Sequence, residues 1–199
     1  MKSGIRAVGI AESYRGDRRG EGDASTLVAA VVRADRTVDG FAVGTCTVGG
    51  TDATGAVRTL LSRLDREDAR YVLVSGIAPA WYNVLDLPAI EAAADRPVLS
   101  VSFEASEGLE PALEREFSGD TLAERLDTYR RQPDRERVEV NGETTFVRGV
   151  GLGDREAREV LRAFTPEGGR PEPVRVARLA ARAVDRFRYR PQDGVRSNR

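Results

Sequence analysis

Val57-Arg-Thr-Leu-Leu-Ser-Arg-Leu64 sets apolar residues at i, i+3, i+4 and i+7, the repeat of an amphipathic helix. Just before it, Val38-Asp-Gly-Phe-Ala-Val-Gly-Thr-Cys-Thr47 alternates, the repeat of a strand. That change of period decides the fold. Upstream of it lie two further strand-like runs, Ile5 to Ile10 and Leu27 to Val32. Between them Tyr14 to Ala24 is rich in glycine and charge and predicts a loop. Downstream, Tyr71–Val74 predicts a strand, Leu87–Ala94 a helix and Pro97–Phe103 a strand. Three strands followed by alternating helices and strands are the order of a ribonuclease-H-like α/β fold. The later strands are expected to pair in parallel.

The rest of the chain predicts helices at about Glu107–Phe117 and Thr121–Arg130. A hairpin follows, with Arg137–Val140 and Thr144–Val147 joined at Asn141-Gly142. Asp154 is placed to cap a helix through Phe164, and a last helix runs from Glu172 to about Phe187. The expected organisation is a single domain over residues 1–190 with a polar tail at 191–199. No repeat or low-complexity block is evident.

Composition removes several chemistries. The 199 residues include no histidine and a single cysteine, Cys46. Ser-His-Asp and Cys-His nucleophile systems, disulfide frameworks and cysteine zinc sites are therefore excluded. Any catalysis falls to carboxylates, hydroxyls, arginines and bound metal. Net charge is −1, yet Lys2 is the only lysine, so nearly all the positive charge is arginine. Arginine forks onto carboxylate or phosphate and never loses its charge. No membrane-length apolar run or signal pattern is present, which predicts a cytoplasmic protein without a membrane partner.

Four carboxylates are candidates for metal-dependent catalysis, which needs two or more such groups around divalent ions and no histidine. Glu12 follows the first strand. Asp52 sits in Gly49-Gly-Thr-Asp-Ala-Thr54, with Thr51 as helix cap and Asp52 in the first turn, where a carboxylate also answers the helix dipole. Asp86 ends Trp81-Tyr-Asn-Val-Leu-Asp86 and could equally cap the next helix. Glu172 opens the last helix between two prolines. Glu12, Asp52 and Glu172 are the candidate metal ligands. The Gly50–Gly55 spacing is not a phosphate loop, because Ala56 and Val57 stand where Lys and Ser/Thr are needed. Gly149-Val-Gly-Leu-Gly153 has the wrong spacing for a dinucleotide fingerprint, so no nucleotide cofactor is expected.

Candidate nucleic-acid contacts are aromatic and basic. Trp81 and Tyr82 could stack on a base, or cover the sheet edge. Arg175, Arg178, Arg182 and Arg186 step by 3, 4 and 4 along one side of the last helix, beside a packing face expected at Val176, Ala180, Ala183 and Phe187. Such a stripe can follow a phosphate backbone, or be solvated or paired with carboxylates.

Gly9-Ile-Ala-Glu-Ser13, Gly50-Thr-Asp-Ala-Thr54, Gly76-Ile-Ala-Pro-Ala-Trp-Tyr-Asn-Val-Leu-Asp86, Arg96-Pro-Val98 and Pro171-Glu-Pro-Val-Arg-Val-Ala-Arg-Leu-Ala180 occur in this order. Together they resemble the archaeal family known as domain of unknown function 99, or uncharacterised protein family 0215, over nearly the whole chain. That family is similar to endonuclease V, a magnesium-dependent enzyme that nicks nucleic acid near inosine. The resemblance implies a ribonuclease-H-like fold, a nucleic-acid partner and magnesium or manganese. It also marks departures. Ala11 stands where the family has its first acidic residue, Glu12 fills the second position, and Asp52 keeps the acidic residue near the first helix. Ser75 stands before Gly76 where endonuclease V has an Asp, and Arg178 replaces a common His. The expectation is an endonuclease-V-like protein that binds nucleic acid with a degenerate carboxylate site. An active metal-dependent endonuclease and a non-enzymatic interaction protein are the alternatives.

Overall fold

The computed structural model describes residues 2–13 and 21–189. Most of the expected loop at Tyr14–Ala24, and the expected tail at 191–199, lie outside the described residues. Within them, seven strands form one mixed sheet, ordered β3-β2-β1-β4-β5-β7-β6. The strands are β1 (Arg6–Ser13), β2 (Ala24–Arg33), β3 (Val38–Thr47), β4 (Ala69–Ser75), β5 (Val98–Ser102), β6 (Glu136–Val140) and β7 (Glu143–Val150). The first three pair antiparallel, β1–β4 and β4–β5 pair in parallel, and β7 returns antiparallel between β5 and β6.

The helices are α1 (Ala53–Leu64), α2 (Pro79–Tyr82), α3 (Leu87–Ala94), α4 (Glu110–Glu116), α5 (Gly119–Arg130), α6 (Asp154–Phe164) and α7 (Glu172–Arg188). On one face α1 and α3 bury Val57, Leu60, Leu87 and Ile90 against Val8, Ile10, Val72 and Val74. On the other, α6 buries Val160, Leu161 and Phe164 against Leu73, Leu99, Val101 and Val147. Each such side chain contributes roughly 1.5–3 kcal/mol of burial. Among the described residues no helix is long and apolar enough to cross a membrane.

α7 departs from the sequence expectation. Its buried face is Pro173, Val174, Ala177, Ala181 and Asp185. Of the expected face of Val176, Ala180, Ala183 and Phe187, Val176 is only partly buried at the edge of the contact, Ala180 is half-buried, and Ala183 and Phe187 are exposed, Phe187 at 81%. The reason is steric. Small residues at 177 and 181 let the helix settle onto Ala11, Ala30 and Val32. A Cβ on Gly9 would stand 2.0 Å from the Pro173 carbonyl. Close approach, rather than hydrophobic content, selects the face.

α2 is not a regular helix. Ala80, Trp81 and Tyr82 all have positive φ (48°, 55° and 60°). Three consecutive non-glycine residues in the left-handed region cost about 1–2 kcal/mol each. Surrounding contacts must hold this turn, and it sits at the mouth of the candidate site.

Candidate nucleic-acid interface

The parallel strands β1 and β4 end side by side, and their carboxyl ends open into a cleft of about 200 Å³. Glu12 and Ser13 from β1, Ser75 from β4, Ala78 and Pro79, and Arg178 and Arg182 from α7 line it. Glu12 points to the face opposite α7. Its Oε2 accepts a 2.6 Å hydrogen bond from the Ser25 hydroxyl on β2, and its carboxylate accepts the N–H of Ala80, presented by the left-handed turn. Burial pushes the Glu12 carboxyl above its ordinary range, with Asp185 adding to the rise. The Ser25 and Ala80 hydrogen bonds and the charge of Arg178 offset only part of it.

Adjacent residues on a strand point to opposite faces. Ala11 packs against Ala177 of α7, whereas Glu12 faces Ser25 and Ala80. The carboxylate at position 12 therefore occupies different space from a side chain at position 11.

Asp52 is committed to its own loop. Its carboxylate accepts the Thr47 N–H at 2.9 Å, the Thr47 hydroxyl at 2.9 Å and the Asn83 amide at 2.7 Å. Burial alone would raise its pKa, but these hydrogen bonds outweigh it and hold the group below its ordinary range. Asp52, not Thr51, stands at the N-cap position of α1, yet its side chain caps nothing. Asn83 performs that role instead. Fully buried, it accepts the Ala53 N–H at 2.9 Å and donates to the Thr47 carbonyl and Asp52.

Asp86 caps α3 through the Ala89 N–H at 3.0 Å and pairs with Arg131 at 3.1 Å. Glu172 is held by Arg175 in a two-pronged pair of 2.7 and 2.5 Å, and the Arg175 hydrogen bonds lower its pKa. It also lies at the far end of the helix from the cleft. α7 runs in the direction of β1, with Pro173 over Gly9, Ala177 by Ala11, and Asp185 hydrogen-bonded to Thr26, the partner of Ser13. Six to ten helical residues, about 9–15 Å of rise, separate Glu172 from Arg178 and Arg182. The four carboxylates from four segments are thus not assembled, and the expected metal set of Glu12, Asp52 and Glu172 is dispersed. Among the described residues no group of three or more Asp, Glu or Cys side chains is arranged to hold a metal ion.

The arginine stripe divides. Arg175 is spent on Glu172, Arg178 and Arg182 line the cleft, and Arg186 is exposed. Trp81 and Tyr82 are both half-buried. Trp81 covers Gly49 and lies 5.4 Å from the Phe117 ring, which Tyr82 meets edge-on at 6.0 Å.

Three further residues matter here. Asp185 is buried on α7, accepts the Thr26 hydroxyl at 3.3 Å, and is near enough to Glu12 to raise its pKa. Its place in the four-residue steps from Ala177 through Ala181 was the available signal. Arg125 is 4% exposed. It donates to the carbonyls of Gly49, Gly50, Tyr82 and Thr121, with its guanidinium 4.0 Å from the Phe117 ring centre. It ties α5 to both sides of the left-handed turn. Arg170 lies over the Phe103 ring at 4.4 Å, and burial followed by repulsion from Arg178 and Arg182 lowers its pKa. Beside the cleft, sharing Ala78 with it, a hollow of about 320 Å³ is lined by Gly76, Ser100, Leu109, Tyr129 and Phe146. Arg135 stacks on Phe146 and Arg148 on Tyr129 at its rim.

The comparisons agree with this architecture. A protein from Pyrobaculum calidifontis described as a UPF0215 protein is 33% identical over 180 residues, covering 89% of this chain and 96% of that one. A UPF0215 protein from Thermococcus kodakarensis is 28% identical over 92% of this chain and 94% of its own length. In three dimensions, a protein of unknown function from Archaeoglobus fulgidus aligns with a TM-score of 0.78 at 24% identity, over 90% of this chain and 98% of that one. Endonuclease V from Ciona intestinalis, crystallised with DNA containing inosine, aligns at 0.60 with 11% identity, over 92% and 86% of the two chains. The fold is that of endonuclease V, an α/β fold built on one mixed sheet. The family model described as endonuclease dU matches residues 3–185, and the chain belongs to that family.

Proposed function

We propose that the chain is a nucleic-acid-binding protein of endonuclease-V-like fold whose carboxylate site is degenerate, so that it binds without efficient cleavage. The observation that carries this reading is the cleft itself. Its lining holds one carboxylate, Glu12, and two arginines, Arg178 and Arg182. Magnesium or manganese bridging a phosphodiester needs several oxygen ligands and a surplus of negative charge. One buried carboxylate with a raised pKa, sharing the cleft with two guanidiniums, does not fit such a pair of ions. The same guanidiniums fit a phosphate well.

The family description and the inosine-containing DNA of the Ciona complex support DNA bearing a deaminated base as the ligand class. The hollow beside the cleft, with Tyr129 and Phe146 in its wall, has room for one nucleobase. Tyr82 and the exposed Arg186 are further contacts in this proposal, and a cytoplasmic location belongs to it as well.

Fluorescence anisotropy with deoxyuridine- and inosine-containing oligonucleotides tests the reading. If Arg178, Arg182 and Arg186 meet phosphates, log K falls against log salt with a slope of about −2 to −3. An affinity indifferent to salt would remove the arginine rim from the account.

A further inference from the structure

Several arginines of this protein are neutralised locally. Arg175 is held by Glu172, Arg130 by Glu110, Arg131 by Asp86, and Arg6, Arg33 and Arg66 converge on Asp39. The cleft is different. Among the described residues Arg178 and Arg182 form no ion pair. They lie one turn apart on α7, about 6 Å along its axis. Arg170 stands behind them, close enough to feel their charge. Glu12, the carboxylate across the cleft, is engaged by Ser25 and the Ala80 N–H. Ser13 and Ser75 add two hydroxyls to the lining. Two guanidiniums lining a space of about 200 Å³, with the Arg170 charge near enough to act on both, repel one another. That arrangement costs stability unless an anion fills it.

We propose that this cleft is a phosphate seat that works without a divalent cation, with Arg178 and Arg182 supplying the positive charge that metal ions would supply in a carboxylate-lined site. The inference rests on the nucleic-acid reading above and adds to it. It assigns the binding charge to two named side chains and makes binding independent of metal. The group recognised is a nucleic-acid phosphate, either a backbone phosphodiester or a terminal monoester.

The experiment compares oligonucleotide binding in magnesium and in EDTA, using a labelled strand with a 5′-phosphate and the same strand with a 5′-hydroxyl. The expected result is an affinity in EDTA within about twofold of that in magnesium. The double variant R178M/R182M is expected to bind at least about tenfold more weakly and to lose about 1.4 units of salt slope. R178K/R182K, which keeps the charge, retains the slope. Arg58→Met, on α1 and away from the cleft, binds as wild type. Tighter binding of the 5′-phosphate strand, lost in R178M/R182M, assigns the seat to a terminal monoester. Equal binding of both strands assigns it to the backbone. Binding that requires magnesium, or an R178M/R182M protein that binds as wild type, overturns the seat and leaves the nucleic-acid reading standing. Absence of binding in either buffer overturns both.

Discussion

Gly9→Ala is expected to lower stability by about 3 kcal/mol or more, which for a chain of this size is a fall in Tm on the order of 10 °C. The added methyl would lie 2.0 Å from the Pro173 carbonyl carbon and oxygen and 2.6 Å from the Val174 nitrogen. All three are backbone atoms, so no rotamer change can relieve the clash. The amino-terminal half of α7 must lift from β1, and that lift disturbs Ala177 over Ala11 and the position of Arg178. Gly44→Ala is the matched control. There the new methyl meets only the Leu60 side chain, with its Cδ2 nearest at 3.2 Å. Its expected cost is below about 1 kcal/mol. Urea melts of both variants decide the point. A Gly9→Ala protein as stable as wild type would show that α7 does not bear on the sheet as described.

The second large effect is Arg125→Met. Arg125 is nearly sealed from solvent and satisfies four backbone carbonyls. Methionine preserves the packing against Phe117 but leaves the Gly49, Gly50 and Tyr82 carbonyls without that donor. Each unsatisfied buried group costs about 1–3 kcal/mol, so a loss on the order of 3 kcal/mol is expected. The loss falls on the most strained segment of the chain. With its tie removed, the left-handed turn at Ala80–Tyr82 can relax, and the Ala80 N–H leaves Glu12. Urea unfolding of Arg125→Met should show the lower midpoint, and Tyr82 should become more accessible to solvent quenchers. Arg125→Lys is expected to recover less than half of the loss, since one ammonium cannot span carbonyls on three segments. An Arg125→Met protein with an unchanged midpoint would mean that the turn holds itself.

Much of this architecture was legible before any coordinates. The period change between Thr47 and Val57 placed β3 and α1, and Asn141-Gly142 placed the β6–β7 hairpin, because both signals are local. The resemblance carried the fold. What escaped depends on groups far apart in sequence. Asn83 looks like an ordinary loop residue until the fold brings it to the first turn of α1. Arg125 looks like one more surface arginine on a polar helix. The strain at Ala80–Tyr82 has no local sequence signature, because none of the three is glycine or asparagine. On α7 the larger apolar residues Val176 and Phe187 suggested the wrong face. Helix-to-sheet contact at Gly9 rewards small residues, which hydrophobic weighting undervalues. The carboxylates misled for a related reason. Sequence order says which segments carry acids, but strand parity and helix direction decide whether those acids meet. Parity turns Glu12 away from α7, and helix direction carries Glu172 to the opposite end of the sheet.

The central claim is that an endonuclease-V-like fold here presents arginines at the strand ends in place of an assembled carboxylate site. A nicking assay tests it most directly. Wild type, Glu12→Gln and R178M/R182M would be incubated with deoxyuridine- and inosine-containing single- and double-stranded DNA, in magnesium, manganese or EDTA. Bound and cut species are then read from the same gels. The account predicts binding by wild type and Glu12→Gln in all three buffers, weak binding by R178M/R182M, and no cleavage above the metal-free background. Metal-dependent cleavage by wild type that disappears in Glu12→Gln would contradict it, and would show that a working site is built around Glu12.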